Sequence, residues 1–148
     1  MRVVRFESAH LAGIDWIERE RTKEIGFGRA FAAYDSNPGW SLLDGDAFVA
    51  GGGIVIPYAG MGEAWVIASP LAQQHSLAVC RAARLGLDEF ALGFKLVRIQ
   101  AMVLRHHITG HRFLEHLGFE RECLVRKYGL HGADMYLYAM FPGETPNA

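Results

Sequence analysis

The sequence has little of what marks several large classes of protein. Only two of its 148 residues are cysteines, Cys80 and Cys123, and they lie far apart. This spacing excludes a disulfide framework and a paired zinc ribbon. The formal net charge is −1, from 15 basic and 16 acidic side chains. Because a general polyanion binder depends on a basic excess, we expect no nucleic-acid partner.

Long apolar runs are also missing, although 51% of the residues are hydrophobic. The stretch from Ala47 to Pro57 contains three consecutive glycines and is shorter than the roughly 20 residues of a membrane-spanning helix. Near the N-terminus, Glu7, His10 and Asp15 lie where a secretion signal would have an apolar segment. We therefore expect a cytoplasmic protein with no membrane partner.

Short strand and helix patterns fill the chain and predict a single domain over residues 1–148. In order they are a strand over Val3–Phe6, helices over Leu11–Ile17 and Thr22–Tyr34, strands over Trp40–Leu43, Phe48–Ile56 and Glu63–Ala68, a helix over Leu71–Leu92, a strand over Lys95–Leu104, a helix over Thr109–Leu117, and strands over Glu120–Tyr128 and Asp134–Phe141. The helix before Lys95–Leu104 implies a parallel crossover. The expected class is α/β of the mixed α+β kind: a mostly antiparallel sheet of about six to seven strands flanked by about four helices.

The segment Phe113–Phe119 reads F-L-E-H-L-G-F and resembles the late helix-to-strand signature F-Y-E-K-L-G-F of the GNAT superfamily of N-acetyltransferases. The predicted order of elements is similar to that family over essentially the whole chain. The resemblance implies a GNAT-like, acyl-CoA N-acyltransferase fold. It also implies an enzyme that binds acetyl-CoA as a substrate and transfers the acetyl group to an amine acceptor.

A second similarity lies at Gln73–Ala78, which reads Q-x-x-S-x-A and resembles the family's coenzyme loop, Q/R-x-x-G-x-G/A. The resemblance implies that this loop binds the pyrophosphate at a helix N-terminus, where backbone N–H groups and the helix dipole favour an anion. The cofactor-binding candidates in the loop are Gln73, Gln74, His75, Ser76 and Ala78.

Ser76 stands where the family has glycine. Its Cβ either obstructs the approach of the coenzyme, or its hydroxyl donates a hydrogen bond to it. The alternative for the whole segment is an ordinary helix that begins at Pro70, with its polar residues solvated in the first turns.

In the family, the pantetheine arm of the coenzyme lies between two splayed parallel strands. The resemblance assigns these strands to the segments beginning at Glu63 and Lys95. It implies that the backbone of Val66, Ile67 and Ala68 contacts the acyl group and pantetheine. Further coenzyme candidates are Gly110 and Phe113.

The catalytic candidates are Glu63 and His107. Glu63 is the best-placed carboxylate for a general base, and His75, near the coenzyme loop, is a second option. The alternative for Glu63 is a solvated strand end after a glycine-rich turn. His107 takes the position of a family asparagine and retains a hydrogen-bond donor. Leu114 stands where the family often has a tyrosine that protonates the departing thiolate. A substitute acid would have to come from His107, His111, Tyr128 or Tyr138.

His107 and His111 also have the i, i+4 spacing of a helical zinc pair, but no third ligand follows from the spacing, and we expect no metal. The closing strand Asp134–Phe141 is apolar on both faces, which indicates either a central strand or one covered in a dimer. We expect a homodimer.

A different class of function fits the same fold. The chain is also similar to a compact GNAT-like type encoded by tailed bacteriophages, on the strength of Trp65, Arg126–Leu130 and Gly132–Asp134. The alternative function is thus a catalytically degenerate GNAT-fold protein with a binding or structural role, such as a virion component. Fold alone does not choose between the two functions.

Overall fold

A computed structural model describes residues 1–11 and 34–144 of the chain. Seven strands form one sheet, in the order β1-β2-β3-β4-β5-β7-β6. The strands are β1 (Arg2–Arg5), β2 (Gly39–Asp44), β3 (Ala47–Tyr58), β4 (Met61–Ala68), β5 (Arg98–Leu104), β6 (Glu120–Val125) and β7 (Met135–Met140). The α-helices of the described residues are α1 (Ser76–Gly93) and α2 (Ile108–His116), and 3₁₀ helices cover Ser8–Leu11, Pro70–His75 and Leu130–Gly132.

The expected fold class is confirmed, because the sheet is mixed and only β4 and β5 pair in parallel among the pairings whose register is defined in the described residues. Of the four expected helices, two are present as α1 and α2. The other two, over Leu11–Ile17 and Thr22–Tyr34, fall almost entirely on residues 12–33, outside the described part of the chain. Neither described α-helix is long and apolar enough to cross a membrane.

The chain divides into two compact units. The first comprises Met1–Val55 and Ala64–Phe90, and the second comprises Ile56–Glu63 and Ala91–Ala148. The expectation of a single domain over residues 1–148 stays a prediction.

The core of the first unit collects apolar side chains from β2, β3, β4 and the segment that follows β1. Its buried members are Phe6, Leu11, Leu43, Phe48 and Ile67. Burying a side chain of this size is worth about 1.5–3 kcal/mol, so this cluster is a main source of stability for the unit. On the helix side, a Cβ at Gly86 of α1 would come within 2.8 Å of Trp40 on β2, so the absence of a side chain there lets the indole pack against the helix.

The second unit is built around β7, which lies between β5 and β6 and pairs antiparallel with both. Tyr138 and Ala139 of this strand are fully buried. Of the two explanations for its apolar faces, the central strand is therefore the one confirmed. The homodimer stays a prediction.

Both α-helices end with a residue of positive φ that reverses the chain. After α2, Gly118 has φ +98°, and the amides of Gly118 and Phe119 bond to the carbonyls of Glu115 and Leu114. This is a Schellman cap, and it confirms Gly118 as the expected helix-ending glycine.

After α1, the same arrangement is built on a lysine. Lys95 has φ +52°, and the amides of Lys95 and Leu96 bond to the carbonyls of Leu92 and Ala91. The strand expected from Lys95 therefore begins only at Arg98, because its first residues are used to cap the helix.

Candidate active site

The turn between β4 and α1 is fixed by the buried Ser69. Its Oγ accepts the amide of Leu71 at 3.2 Å and donates to the carbonyl oxygen of Val49 at 2.9 Å. Its own amide also donates to the Val49 carbonyl, at 2.9 Å. Two hydrogen bonds thus attach the start of the candidate coenzyme loop to β3, and the third closes the turn itself, which leaves little freedom in where the loop begins.

The candidate loop lies in a 3₁₀ turn followed by an α-helix. Pro70 is the first residue of the 3₁₀ turn, as the solvated-helix alternative expects, but α1 itself begins at Ser76, the position of the family glycine. Gln73 and Gln74 are exposed in this turn, and Nε2 of His75 lies 3.8 Å from Oδ2 of Asp44.

Ser76 is exposed and has ordinary helical angles, φ −57° and ψ −38°, so its backbone does not require glycine. Ala78 is half-buried in the first turn of α1. The assignment of these residues to a pyrophosphate site stays a prediction.

The parallel pairing of β4 with β5 is short. It covers three residue pairs, Met61 with Arg98, Gly62 with Ile99 and Glu63 with Gln100. The candidate acyl-contacting residues Val66, Ile67 and Ala68 follow this paired segment on β4. Ile67 is buried in the core of the first unit, whereas Val66 and Ala68 are exposed.

Glu63 is the third residue of β4 and is not part of the preceding turn. Its side chain is exposed, and its Oε1 accepts a hydrogen bond from Nε2 of Gln100 at 3.2 Å. The alternative of a purely solvated strand end is therefore incomplete, because the carboxylate has a side-chain partner on the neighbouring strand. The sequence does not point to Gln100, since apolar patterning does not give the register of a parallel pair.

His107 immediately precedes α2 and makes no side-chain cap to it. Its ring lies close to Gly110, where a Cβ would come within 2.8 Å of Nδ1 of His107 and 2.6 Å of Val103. Gly110 is thus glycine where the family often has alanine because the histidine ring and Val103 occupy the space. Phe113 and Leu114 are half-buried on α2. The roles of His107, Gly110 and Phe113 stay predictions.

His111 and Tyr138, two of the candidate substitute acids, are hydrogen-bonded to each other. His111 is buried, and its Nε2 lies 2.8 Å from the carbonyl oxygen of Arg105, so Nε2 carries the proton in the neutral ring. Its Nδ1 then accepts the Tyr138 hydroxyl at 2.7 Å. The same hydroxyl oxygen accepts hydrogen bonds from Nε and Nη2 of Arg121, at 3.2 and 3.1 Å. These bonds raise the pKa of Arg121 above its usual value.

This arrangement also bears on the zinc-pair spacing of His107 and His111. Both ring nitrogens of His111 have protein partners, so neither presents a lone pair to a metal. Within residues 1–11 and 34–144, no group of three or more His, Cys, Asp or Glu side chains could hold a metal ion.

Trp65 packs in the first unit as a core residue. Its ring stacks on Tyr34, with centroids 4.2 Å apart, and meets Phe6 edge to face at 4.7 Å. Its Nε1 is buried and has no hydrogen-bond partner among the described residues. The packing is the role expected of the tryptophans in general, and Trp65 was also one of the residues that carried the phage-type similarity.

The strand order, the short parallel pair and the helix that begins at Ser76 together define the fold of the GNAT acetyltransferases. Known structures agree. The chain resembles a GNAT-family acetyltransferase from Bacillus anthracis, with 20% identity, TM-score 0.69, and coverage of 96% of this chain and 95% of the other.

Two further structures show the same likeness. Spermidine N-acetyltransferase from Vibrio cholerae matches with 12% identity, TM-score 0.68 and 95% of each chain covered. The protein yncA from Salmonella typhimurium, solved with its cofactor acetyl-CoA, matches with 12% identity, TM-score 0.67, and coverage of 99% of this chain and 96% of the other. No protein-family model and no curated protein sequence matches the chain. The likeness is therefore one of fold.

Proposed function

We propose that this protein is an acetyl-CoA-dependent N-acetyltransferase that transfers the acetyl group to an amine. The observation that carries the proposal is the local order along β4. A short parallel pairing with β5 ends at Glu63, and β4 continues unpaired with β5 through Val66–Ala68. The turn that Ser69 fixes then leads to the helix that begins at Ser76. The solved acetyltransferase yncA, which contains acetyl-CoA, supports the choice of donor.

The main coenzyme contacts in this proposal come from the start of α1 and from β4. An α-helix of 18 residues has a developed dipole, and its first amides favour the pyrophosphate. Gln73 and Gln74 add exposed side-chain donors beside this end of α1, and the hydroxyl of Ser76 adds another. The backbone amides of Val66–Ala68 would donate to the acyl oxygen and stabilise the negative charge that develops on it.

Glu63, where the parallel pairing of β4 with β5 ends, is the proposed general base. The neutral amine nitrogen attacks the thioester carbonyl carbon, a C–N bond forms, and the C–S bond of the tetrahedral intermediate then breaks. The proton lost by the nitrogen passes to the Glu63 carboxylate, directly or through water. His107 would donate a hydrogen bond to the bound coenzyme, as the family asparagine does.

The thiolate leaves without a protein acid in this proposal. Leu114 cannot donate a proton, and Tyr138 and His111 are bonded to each other in the interior of the second unit. A free thiol has a pKa near 8.5, so a thiolate released at neutral pH takes a proton from water without great cost.

The coenzyme site is tested by adding a negative charge at Ser76. The Ser76→Asp variant would keep its fold, because an acidic side chain is favourable in the first turn of a helix. Its affinity for acetyl-CoA, measured by isothermal titration calorimetry, should fall more than about tenfold through repulsion of the pyrophosphate. The Leu85→Asp variant is the matched control, since Leu85 is exposed on the same helix nine residues away.

The wild-type protein should bind acetyl-CoA and release free CoA thiol when supplied with amines. No binding at about 1 mM coenzyme, near the upper end of usual KM values, would reject the enzyme and leave a binding or structural role. Equal affinity of the Ser76→Asp and Leu85→Asp variants would reject the pyrophosphate site alone. The Ser76→Gly variant separates the two roles of Ser76: tighter binding identifies the Cβ as an obstruction, and unchanged or weaker binding identifies the hydroxyl as a contact.

A further inference from the structure

Four side chains of the second unit form a continuous polar ladder that begins at Glu63. Gln100 donates through Nε2 to Oε1 of Glu63 at 3.2 Å, and Nε of Arg98 donates to Oε1 of Gln100 at 3.1 Å. The Arg98 guanidinium also forms two hydrogen bonds to the carboxylate of Glu122, one of them 3.1 Å long. We call these four residues the Glu63 ladder.

The ladder fixes which end of the Gln100 amide faces Glu63. A guanidinium Nε can only donate a hydrogen bond, so the Gln100 atom that it contacts must be the carbonyl oxygen. The amide nitrogen of Gln100 is therefore the atom turned toward the carboxylate. If the amide were reversed, a nitrogen would face Arg98 and an oxygen would face Glu63, and both contacts would be repulsive.

Arg98 is itself held in place from β6 and β7. Its paired contact with Glu122 uses both ends of the guanidinium, which is the strong geometry for an arginine and a carboxylate. The guanidinium carbon also lies 5.7 Å from the centre of the Phe141 ring. The paired contact raises the pKa of Arg98 and lowers the pKa of Glu122, so both partners stay charged.

We infer that Gln100, oriented by Arg98 and Glu122, is a positioning residue that holds the Glu63 carboxylate for proton transfer from the acceptor amine. The inference rests on the proposed function. Gln100 engages Oε1, so Oε2 is the oxygen left for the proton. The ladder contains two carboxylates and one guanidinium, and this excess of negative charge favours an acceptor that arrives as a cationic ammonium group. That group gives one proton to water before the neutral amine attacks, and Glu63 then takes the second proton from the tetrahedral intermediate.

The test compares two replacements of Gln100. The Gln100→Glu variant keeps the length of the side chain and its contact with Arg98, but a carboxylate cannot donate to Glu63. The Gln100→Met variant removes both bonds. We expect kcat/KM for the amine to fall about tenfold in each, mainly through kcat, with KM for acetyl-CoA unchanged.

Arg98→Met should lower kcat/KM in the same direction, and the Arg98→Met/Gln100→Met double variant should be no worse than Gln100→Met alone, because Arg98 acts through Gln100. The control is Arg105→Met, which removes a different ion pair of the second unit, that with Asp134 at 3.5 Å. It should leave kcat/KM unchanged.

The outcomes separate this inference from the proposed function. If the wild-type protein acetylates an amine but Gln100→Glu retains its full kcat, Gln100 has no positioning role and the inference is wrong, while the proposed function stands. Additive losses in the double variant would likewise contradict it. If the wild-type protein binds acetyl-CoA but no amine is acetylated, both are overturned.

Discussion

Tyr138 joins three elements of the second unit through one hydroxyl group. It lies on β7, donates to His111 on α2, and accepts from Arg121 on β6. His111 continues the connection to the carbonyl of Arg105 at the end of β5. A buried network in which every member has a partner rigidifies its surroundings, and it loses stability when one member is removed.

The Tyr138→Phe variant should therefore be less stable by about 1–3 kcal/mol, because Nδ1 of His111 loses its shorter hydrogen bond and keeps only the 3.4 Å contact with Arg121, while the Arg121 guanidinium loses an acceptor. The measurement is the free energy of unfolding from urea titration. Tyr128→Phe is the control, since Tyr128 is 62% exposed and its replacement should change stability by less than about 0.5 kcal/mol. Equal stabilities for the two variants would show that the network contributes nothing measurable.

Individual site residues differ in how far the sequence could predict them. Ser76 was picked out by its place in the coenzyme-loop pattern and Glu63 by its place at the start of a predicted strand, and the roles of both stay predictions. Gln100 and Arg98 were not picked out, because their importance comes from the register of β4 against β5 and from a carboxylate 24 residues away on β6. Register depends on which side chains meet across strands, and no local pattern records it.

At the scale of the element, β3 contains three glycines, and the contacts around Gly53 show most clearly why a larger residue does not fit there. A Cβ at Gly53 would lie 2.4 Å from the carbonyl oxygen of Pro38 and 2.9 Å from the Cα of Gly39 on β2. That carbonyl also accepts the amide of Ile54 at 3.0 Å, so it cannot move without breaking a hydrogen bond.

Gly53→Ala should consequently destabilise the protein by about 2 kcal/mol or more, within the range found for overpacked interiors. Gly93→Ala is the matched control, because a Cβ there meets nothing within 4 Å. The comparison uses the midpoint of thermal unfolding. If the Gly53→Ala variant unfolds at the wild-type temperature, β2 and β3 can move apart to accept the Cβ without a loss of stability, and the prediction is wrong.

The periodicity of apolar residues predicts which helices and strands are present better than it predicts where they begin and end. The 3.6-residue repeat placed both α1 and α2, and the turn residues placed the β2–β3–β4 meander. The start of β5 was wrong by three residues because Lys95 adopts a positive φ that is more usual for glycine. Such a cap depends on the two hydrogen bonds it completes, which composition does not reveal.

At the scale of the whole molecule, two carboxylates make the stability of the folded protein depend on pH. The amide and hydroxyl of Ser8 donate to Asp35 at 2.7 and 2.6 Å and lower its pKa. The Arg98 guanidinium lowers the pKa of Glu122. A carboxyl whose pKa is lower in the folded state contributes stability that is fully present above its unfolded pKa and is lost as the pH falls through the folded value.

The urea midpoint should therefore be constant above about pH 5 and should fall as the pH passes below the ordinary values of 4.5 for Glu122 and 3.8 for Asp35. In Glu122→Gln the fall should be shallower by less than about 1 kcal/mol, since the Glu122 side chain is 35% exposed and surface ion pairs contribute little. If the urea midpoint of Glu122→Gln falls with pH in the same way as that of the wild-type protein, the ion pair of Glu122 with Arg98 does not contribute to stability.

The fold of the whole chain was the most predictable property, because the order of strands and helices restricts the topology strongly. The boundary between the two units was not predictable, since it passes through β3 and β4 and no linker composition marks it. The expected homodimer has lost one of its arguments, because the apolar faces of β7 are explained by its central position.

The placement of β7 also has a consequence for how the protein is made. β7 is the last strand in the chain, yet it lies between two strands that precede it. During synthesis, β5 and β6 leave the ribosome before the strand that pairs with both, so each presents an unpaired edge for that interval. Unpaired strand edges promote association between chains. The sheet of the second unit is therefore complete only after Met140 has been translated.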